Sequence, residues 1–496
     1  MILTTIWLLP LLGAVVIDLL PKRWARWVGL LIALAVLGLC ITLVAQFVPG
    51  HQGYQFEENL PWIPQFGISY HLGIDGISLW LVLLNAFLTV IAIAASGQVK
   101  RQRAFIALLL VQAGAMAGLF LAADLLLFYV FWEAMLIPAY FLLFLWGEGS
   151  RPARAAIKFV LYTLAGSLLM LVGVVGEYIF AGGGSHGFDL AQLAAHPPTA
   201  PIQFGLFLLF VLALGIKIPL FPLHGWLAEA YASAPAAYLV LFAGVMGKTG
   251  AYALLRVLTP LLPHPILWWN WNEVIPVLAV IGIIWGALLA LVQRDMKLVV
   301  AYSSLSHMGF IVLGIFSFTE IGQQGALLQM VNHGIIVPAL FLLVGWIAVR
   351  TGSRDRSVLA KLAPRMPVMA GVFLIVTLAA LGLPGLNSFV GEFLTLLGAW
   401  QLAPWLAIVG CVGLLLAPIY MLRLFQGLMY VGRSENPPAG HAPKWLHEIT
   451  KLPDLSGVEI AVMLPLVGLM FLLGLYPGLL TTAMTALGYP LPVPWS

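Results

Sequence analysis

The chain has very few charged residues for its length. Only 8% of its 496 residues are charged, 23 of them lysine or arginine and 19 aspartate or glutamate, whereas 62% are hydrophobic. A soluble globular domain carries about a quarter charged residues, so this chain cannot cover a water-facing surface. The composition therefore excludes a soluble enzyme, a secreted scaffold and a disordered regulator, and it predicts an integral membrane protein in the lipid bilayer.

Cysteines and cofactor motifs are also scarce. Cys40 and Cys411 lie far apart in apolar segments with no CxxC motif, so neither a disulfide framework nor a cysteine metal site is predicted. The glycines at 182–187 have GxGxxG spacing, but they follow an apolar helical run rather than a strand. Lys248 stands in a Gly-Lys-Thr sequence, yet position 242 is Phe where a phosphate loop needs its first glycine. We therefore expect no cofactor and no metal ion in this chain.

Long apolar runs dominate the sequence. A helix that crosses the bilayer needs roughly 20 apolar residues, because lipid leaves no backbone polar group unpaired. The runs are continuous rather than alternating, which excludes a transmembrane β-barrel. The sequence predicts an all-α polytopic membrane protein with about fourteen transmembrane helices. The predicted spans are residues 2–20, 28–48, 77–97, 104–121, 123–147, 157–181, 204–228, 235–257, 272–292, 297–317, 321–349, 367–401, 405–430 and 458–485.

The basic residues predict the orientation of these spans. All lysines and arginines except Lys217, Lys248 and Arg256 lie in or beside connections that follow odd-numbered spans. The positive-inside rule places these connections on the cytoplasmic side, so both termini face the outer (periplasmic or lumenal) side. Because orientation accounts for the excess positive charge, that charge does not predict a nucleic-acid partner. We expect the connection 49–76 to be an outer loop that lies at the membrane interface.

Two spans are interrupted by proline and glycine. Span seven contains Pro219 and Pro222, and span twelve contains Pro384 and Gly385. Proline opens a helix, and opened backbone is tolerated at membrane depth only inside protein or beside a watery cavity. Because the two spans are five apart, spans four to eight and nine to thirteen would form inverted repeats. The predicted regions are 1–97 (helices one to three), 98–257 (first repeat), 258–430 (second repeat) and 431–496 (C-terminal helix).

Four charged residues fall within the predicted spans: Glu133 in span five, Lys217 in span seven, Lys248 in span eight and Glu392 in span twelve. A charge at the bilayer centre costs at least about 2.5–3.5 kcal/mol on insertion scales, so such residues are usually functional. A lysine whose protonation depends on a nearby glutamate acts as a proton-loading switch. The alternative is that Glu133 and Lys217 form a fixed ion pair that holds the helices together.

Histidines His224, His307 and His333 share this depth. An imidazole can pass a proton between its two nitrogens near neutral pH, so the three suit a proton relay, or they are packing residues with hydrogen bonds. Their spacing is poor for metal ligands. The serines at 303, 304 and 306 would bond either water or helix carbonyls. We expect Asp124 and Glu177, near span ends, to be solvated, and Arg256 to extend outward from the end of span eight.

Six segments of the sequence resemble the antiporter-like membrane subunits of complex I. Together they cover roughly residues 60–490, and the Glu392 segment favours the M-type (chain 4) subunits over the sister L-type subunits. The segments are His71–Ser78, Phe131–Pro138, Lys217–Leu227, Gly247–Tyr252, Ala301–Gly309 and Gly382–Leu394.

The resemblance implies a fold of fourteen helices with two inverted five-helix repeats and one proton-translocation unit. It also implies a role for each buried charge. Glu133 and Lys217 would be the modulating pair, Lys248 the connecting lysine and Glu392 the terminal acid, with His307 and His333 on the central hydrophilic axis.

The resemblance further implies a larger assembly. The chain would be a proton-pumping subunit of an NAD(P)H- or ferredoxin-quinone oxidoreductase. Its partners would be membrane subunits of the L, N, K, J, A and H types and a peripheral redox arm. Any FMN and iron–sulfur clusters, and the reactions of NAD(P)H or ferredoxin and quinone, would belong to other chains.

Three alternatives stay open on the sequence. The first is a cyanobacterial complex of the thylakoid, which passes electrons from ferredoxin to plastoquinone or serves carbon dioxide uptake. The second is a subunit of a multi-component sodium/proton antiporter, and the third is a structural scaffold. One segment departs from the family pattern, because Leu227-Ala-Glu229-Ala-Tyr231 stands where Leu-Pro-Asp-Ala-His is usual. The departure leaves open how protons enter from the inside.

Overall fold

The computed structural model describes residues 1–51, 53–182, 187–268, 271–356, 358–430 and 452–484. Within these residues, thirteen helices are long and apolar enough to cross a membrane. The prediction of a polytopic all-α membrane protein is therefore confirmed. These helices are Ile2–Leu19, Lys22–Gln46, Ser78–Gln98, Gln102–Leu121, Leu125–Trp146, Pro152–Phe180, Ala200–Lys217, Ala236–Leu261, Glu273–Val292, Met296–Ile315, Glu320–Thr351, Pro404–Met429 and Gly457–Leu475.

The predicted span twelve consists of two shorter helices. Pro367–Ala380 and Asn387–Leu402 are separated by a turn that contains Pro384. Gly382 and Gly385 in this turn have φ angles of 78° and 93°, a left-handed conformation that side chains with a Cβ rarely adopt. The glycines therefore allow the backbone to turn inside the membrane, and the predicted interruption is confirmed.

Span seven is interrupted in the same way. Its first helix, Ala200–Lys217, ends at the buried lysine, and the helix resumes at Leu227–Ser233. Between them, Pro219 and Pro222 remove two backbone donors, so the helical hydrogen-bond pattern cannot continue. The indole Nε1 of Trp226 donates to the carbonyl of Ile216 at 2.8 Å and satisfies one of the freed groups.

An antiparallel hairpin replaces the loop that the sequence predicted between spans two and three. Strand β1 is Gln55–Ile63 and strand β2 is Ile68–Ile74, and they pair with each other. Residues 68–74 alternate apolar and small or polar side chains, which is a strand signal that the loop prediction overlooked. The Tyr70 hydroxyl accepts from Trp7 Nε1 at 2.9 Å, so β2 is attached to span one.

His71 connects the hairpin to a more distant part of the chain. Its Nδ1 lies 2.9 Å from Asp189 and its Nε2 lies 3.1 Å from Glu57. Because a neutral imidazole has only one N–H, two carboxylate partners favour the charged imidazolium. Burial lowers the pKa of His71, but Asp189 and Glu57 outweigh this effect and raise the pKa above its usual value. We call the three side chains the outer clasp.

The structure contradicts the expectation that Asp124 is solvated. Asp124 is 0% exposed and accepts hydrogen bonds from the backbone N–H groups of Ser69, Leu126 and Leu127. It is the N-cap of span five, and the bond to Ser69 brings β2 over the end of that helix. The sequence could not indicate this cover, because the hairpin lies about 50 residues earlier in the chain.

Arg256 and Glu177 are also buried, so these two predictions were wrong as well. Arg256 is 7% exposed and lies 2.9 Å from Asp75, with its guanidinium 4.4 Å from the centre of the Tyr54 ring. The segment that carries Asp75 follows β2 directly, so the hairpin region supplies the partner that keeps Arg256 inside. Glu177 is 0% exposed on span six and follows Gly176, which packs against Leu206 of span seven.

Ion pairs join the two halves of the chain on the predicted inner face. Lys297, 1% exposed on its side chain, lies 2.5 Å from Glu148 and donates to the carbonyl of Ala234 at 2.9 Å. Arg354, which lies 3.3 Å from Asp295 within the second half, donates to the carbonyl of Ala232 in the first half at 2.7 Å. The basic residues Arg433, Lys444 and Lys451, which contributed to the orientation prediction, lie outside the described residues.

The outer clasp predicts a pH-dependent hairpin. Because the pKa of His71 is raised in the folded chain, its charge stabilises the clasp fully below the ordinary histidine pKa of about 6.5. That contribution is lost as the pH rises through the raised value. Amide hydrogen exchange of residues 68–74, corrected for the intrinsic rate at each pH, should become faster over this window. His71→Gln should exchange faster throughout and without this pH dependence; an unchanged pH profile in that variant would contradict the clasp.

Candidate functional site

Lys248 lies at the centre of span eight and is 0% exposed. Two π-helical segments, Phe242–Met246 and Leu254–Leu258, flank the α-helical turns that carry it. Such π segments widen a helix and are frequent at functional sites. The ammonium donates to the carbonyl of Ala243 at 2.6 Å, and this carbonyl belongs to the first π segment. The widened helix thus supplies one acceptor for a lysine that has no access to water.

His333 of span eleven supplies the second acceptor. Its Nδ1 lies 2.7 Å from Lys248 Nζ, and its Nε2 lies 2.9 Å from the hydroxyl of Ser304. Since the ammonium can only donate, Nδ1 accepts and Nε2 carries the proton that is donated to Ser304. Ser303 and Ser306 bond helix carbonyls, which is one of the two roles expected for the serines, whereas Ser304 bonds a histidine instead.

His307 and Glu392 continue from His333. The rings of His307 and His333 have their centres 5.8 Å apart, and His307 Nδ1 lies 2.6 Å from Glu392 Oε1. Glu392 is 1% exposed. Lys248, His333, His307 and Glu392 therefore form one contiguous row through the buried interior, which we call the interior row. The row consists of two hydrogen-bonded pairs, Lys248–His333 and His307–Glu392, whose imidazole rings are in edge-on contact. Titratable groups arranged in this way in a low-dielectric interior can transfer protons from one member to the next.

Four amide and hydroxyl residues support the interior row, and the sequence reasoning missed them. Gln329 Nε2 donates to Glu392 at 2.8 Å, and the hydroxyl of Ser388 donates to the same carboxylate oxygen at 3.0 Å. Asn332 donates to the backbone carbonyl of Asn387 at 2.7 Å, at the start of the second helix of span twelve. Gln329 lies four residues before His333, so helical spacing could have indicated that both share a face.

Lys217 and Glu133 form a separate group. The side chain of Lys217 is 2% exposed, and neither its Nζ nor Oε1 of Glu133 has a hydrogen-bond partner among the described residues. The Lys217 ammonium lies 5.2 Å from the centre of the Trp132 ring, within range of a cation–π interaction. Since no ion pair within 4 Å joins Glu133 to Lys217 in the described chain, the structure does not contain the fixed ion pair of the alternative interpretation.

His224 lies in the interruption of span seven, away from the interior row. It is half-buried, its ring stacks on Phe221 with centres 5.7 Å apart, and its Nδ1 has no partner in the described structure. The backbone segments that carry Lys217 and Lys248 nevertheless pack closely. A Cβ added to Gly250, two residues after Lys248, would lie 3.3 Å from Cβ of Lys217. The two lysines are therefore carried by elements in contact.

The described residues contain no cluster of three or more histidine, cysteine, aspartate or glutamate side chains arranged to hold a metal ion. The arrangement is instead a set of buried proton donors and acceptors. Four of the seven predicted site residues, Lys248, His333, His307 and Glu392, come together, and Glu133, Lys217 and His224 lie beside them without hydrogen-bond partners at the atoms named above.

Comparison with known proteins agrees with this architecture. The profile of the family described as NADH:quinone oxidoreductase/Mrp antiporter, transmembrane, matches residues 122–417. NADH-quinone oxidoreductase subunit M of Mycobacterium tuberculosis is 38% identical, over 96% of this chain and 91% of that protein. NAD(P)H-quinone oxidoreductase chain 4 1 of a Synechococcus strain is 40% identical, over 97% and 90%.

A solved structure extends the comparison to the fold. A chain of respiratory complex I from Thermus thermophilus with bound NADH superposes with a TM-score of 0.87 at 34% identity, and 98% of each chain is covered. Because the family profile matches more than half of the sequence and these relatives span nearly all of it, the chain belongs to the NADH:quinone oxidoreductase/Mrp antiporter transmembrane family.

Proposed function

We propose that the chain is the M-type (chain 4) proton-translocating subunit in the membrane arm of a complex I-type quinone oxidoreductase. It moves protons outward while other subunits reduce the quinone. The observation that carries this proposal is the interior row, in which Lys248, His333, His307 and Glu392 follow one another without water access. Buried titratable groups arranged in sequence have little structural advantage over apolar side chains, but they are required for proton transfer.

In the proposed route, the proton on Lys217 is the one that is switched. When the negative charge of Glu133 approaches, Lys217 keeps its proton; when that charge withdraws, Lys217 releases it toward Lys248. Lys248 gives its proton to His333 at Nδ1 and takes the proton from Lys217 in its place. His333 releases its Nε2 proton to the Ser304 hydroxyl, which passes its own proton on toward His307. His307 then delivers a proton to Glu392, the terminal acid, which releases it on the outer side. One proton enters and one leaves, and no electron moves in this chain.

The proposed topology gives this route its direction. Regions 98–257 and 258–430 are the two inverted repeats, each with one interrupted helix, and the flanking regions 1–97 and 431–496 complete the chain. Both termini lie on the outer side, so the basic connections lie inside. The interruption of span seven then lies between Lys217 and the inner face.

The proposed partners are the other membrane-arm subunits and the peripheral arm, which holds the redox cofactors. Relatives of the respiratory kind and of the cyanobacterial kind are similarly identical, at 38% and 40%, so the electron donor and quinone stay open between the two. Purification of the native complex with peptide identification decides this. NADH- or ferredoxin-binding subunits with iron–sulfur proteins support the complex I assignment, whereas only small antiporter subunits would support a sodium/proton exchanger.

Lys217→Ala tests the switch. The variant should assemble into the complex but lose proton pumping coupled to electron transfer, because the proton carrier that Glu133 is proposed to switch is removed. Proton uptake into inverted membrane vesicles, driven by quinone reduction, measures the effect. Lys22→Ala, at an exposed position before span two, is the control and should pump normally. Normal pumping by Lys217→Ala would exclude the mechanism, and normal pumping after all four interior charges are neutralised would favour a scaffold.

His333→Gln tests the interior row. Glutamine preserves hydrogen-bonding groups near Lys248 and Ser304 but cannot exchange a proton at pH 7, so the row is interrupted without a cavity. Pumping should fall by about 100-fold or more, the usual contribution of a positioned proton-transfer group. His196→Gln, at an exposed histidine outside the spans, serves as the matched control. If both variants pump equally well, His333 is a packing residue.

A further inference from the structure

A second polar group lies between the interruption of span seven and the inner face. Lys158 of span six and Glu229, just after the interruption, form an ion pair with Nζ and Oε1 2.6 Å apart. Their side chains are 28% and 42% exposed, so neither is enclosed like the interior row. Tyr302 of span ten lies within electrostatic range of both. We call Lys158, Glu229 and Tyr302 the inner mouth.

The depth of the inner mouth suits contact with water on the inside. Lys158 is six residues from the start of Pro152–Phe180, and Tyr302 is six residues from the start of Met296–Ile315. At 1.5 Å per residue, each lies ~9 Å along its helix from the predicted inner end. A lysine at this depth can extend its ammonium to the interface, so we expect the pair to exchange protons with the inner aqueous phase.

Tyr162 links the inner mouth to the interruption of span seven. It lies one helical turn beyond Lys158 on span six, on the same side of the helix. Its hydroxyl is 3.1 Å from the position that a Cβ on Gly225 would occupy, so it rests against the opened backbone. A larger residue at 225 would collide with it. Tyr162 is 38% exposed and lies beside the segment that carries His224.

The Nδ1 atom of His224, in the interruption of span seven, accepts no hydrogen bond from the described residues. This atom is buried, and Nζ of Lys217, on the other side of the interruption, has no partner in the described chain either. A buried polar atom without a partner destabilises the fold, and an ordered water that bonds it removes this cost. Two such atoms on either side of an opened helix are suited to receive and pass on a proton.

The side chain of Tyr231, two residues after Glu229, is packed among aromatic rings. This residue stands in the unusual segment 227–231, is 3% exposed, and packs edge-on against the rings of Phe242 and Phe341 at 5.1 and 5.7 Å. The aromatic contacts fill the space between the inner side and the start of the π segment below Lys248. The helix Leu227–Ser233 therefore directs a buried aromatic side chain toward span eight and its acid, Glu229, toward span six.

We propose that Lys158, Glu229 and Tyr162 are the proton-uptake residues of this chain, which load Lys217 from the inside through His224. Glu229 takes a proton from inner water and releases Lys158 from the ion pair. The Tyr162 hydroxyl accepts this proton and donates its own toward Nδ1 of His224. His224 then releases its Nε2 proton to neutral Lys217. One proton is taken up and one is delivered. This proposal rests on the proton translocation proposed above.

Glu229→Gln in the intact complex tests the proposal. Pumping and coupled quinone reduction per assembled complex should fall roughly 10- to 100-fold, since a positioned proton-transfer group contributes at least about 100-fold and mouth water replaces part of it. Glu229→Asp should recover most of the activity. The control is Asp18→Asn, which removes a more exposed ion pair to Arg103 on the predicted inner face and should pump normally. If the Lys158–Glu229 pair is only structural, Glu229→Gln lowers the amount of assembled complex but not pumping per complex.

A labelling experiment tests the position of the inner mouth without measuring activity. Glu229→Cys is made in a Cys411→Ser background, because Cys411 is exposed whereas Cys40 is buried. A membrane-impermeant maleimide should label position 229 in inverted vesicles and not in right-side-out vesicles. No labelling from the inside, or labelling from the outside, overturns the proposal.

The two proposals fail in different ways. If Lys217→Ala pumps normally, proton translocation through this chain is wrong and the uptake residues have no role. If Lys217→Ala is inactive but Glu229→Gln pumps normally per complex, protons reach Lys217 by another path and only the uptake proposal is wrong. If both variants are inactive and Asp18→Asn is active, both proposals are supported.

Discussion

The hydrogen bond between Lys248 and His333 is the interaction on which the rest of the interior depends. A lysine at the centre of a membrane helix needs acceptors for its ammonium, because burial of an unpaired charge is strongly unfavourable. The chain supplies the Ala243 carbonyl through a π segment and the Nδ1 of His333 through span eleven. This arrangement sets the tautomer of His333, and with it the direction of the bond to Ser304.

The two halves of the interior differ in how completely their polar groups are bonded. In the second half, Glu392 has partners in His307, Gln329 and Ser388. In the first half, Lys217 Nζ and one oxygen of Glu133 have none. A fully hydrogen-bonded network is rigid. Buried groups without partners, in contrast, are stabilised when a water molecule or an opposite charge comes close to them. The contrast is consistent with the proposed switch at Lys217 and with the proposed proton path along the interior row.

The outer face is held by contacts between segments that are distant in the sequence. The hairpin covers the end of span five through the bond between Ser69 and Asp124. Asp75, just after the hairpin, pairs with Arg256 and holds the end of span eight. The clasp of His71, Asp189 and Glu57 adds a third attachment. Spans five and eight carry Glu133 and Lys248, so the same contacts position two of the interior charges along the membrane normal.

Much of the fold and part of the site could be predicted from the sequence. Apolar runs of about 20 residues indicate membrane helices because lipid cannot satisfy free backbone groups, and proline with glycine marks the two interruptions for the same reason. A charged residue in an apolar run is visible without a structure, and so Glu133, Lys217, Lys248 and Glu392 were found. Gln329 and Asn332 were missed, because neutral amides in a helix give no comparable signal.

The sequence by itself determined the class of protein, the approximate number of spans and four of the buried charges, Glu133, Lys217, Lys248 and Glu392, since each follows from the local cost of placing a residue in lipid. Only the tertiary structure decided which of those residues meet. It joined Lys248 to Glu392 through two histidines, left Glu133 and Lys217 without an ion pair, and buried Asp124 and Arg256 under a hairpin. These outcomes depend on contacts between segments dozens to more than a hundred residues apart, and local periodicity carries no information about such contacts.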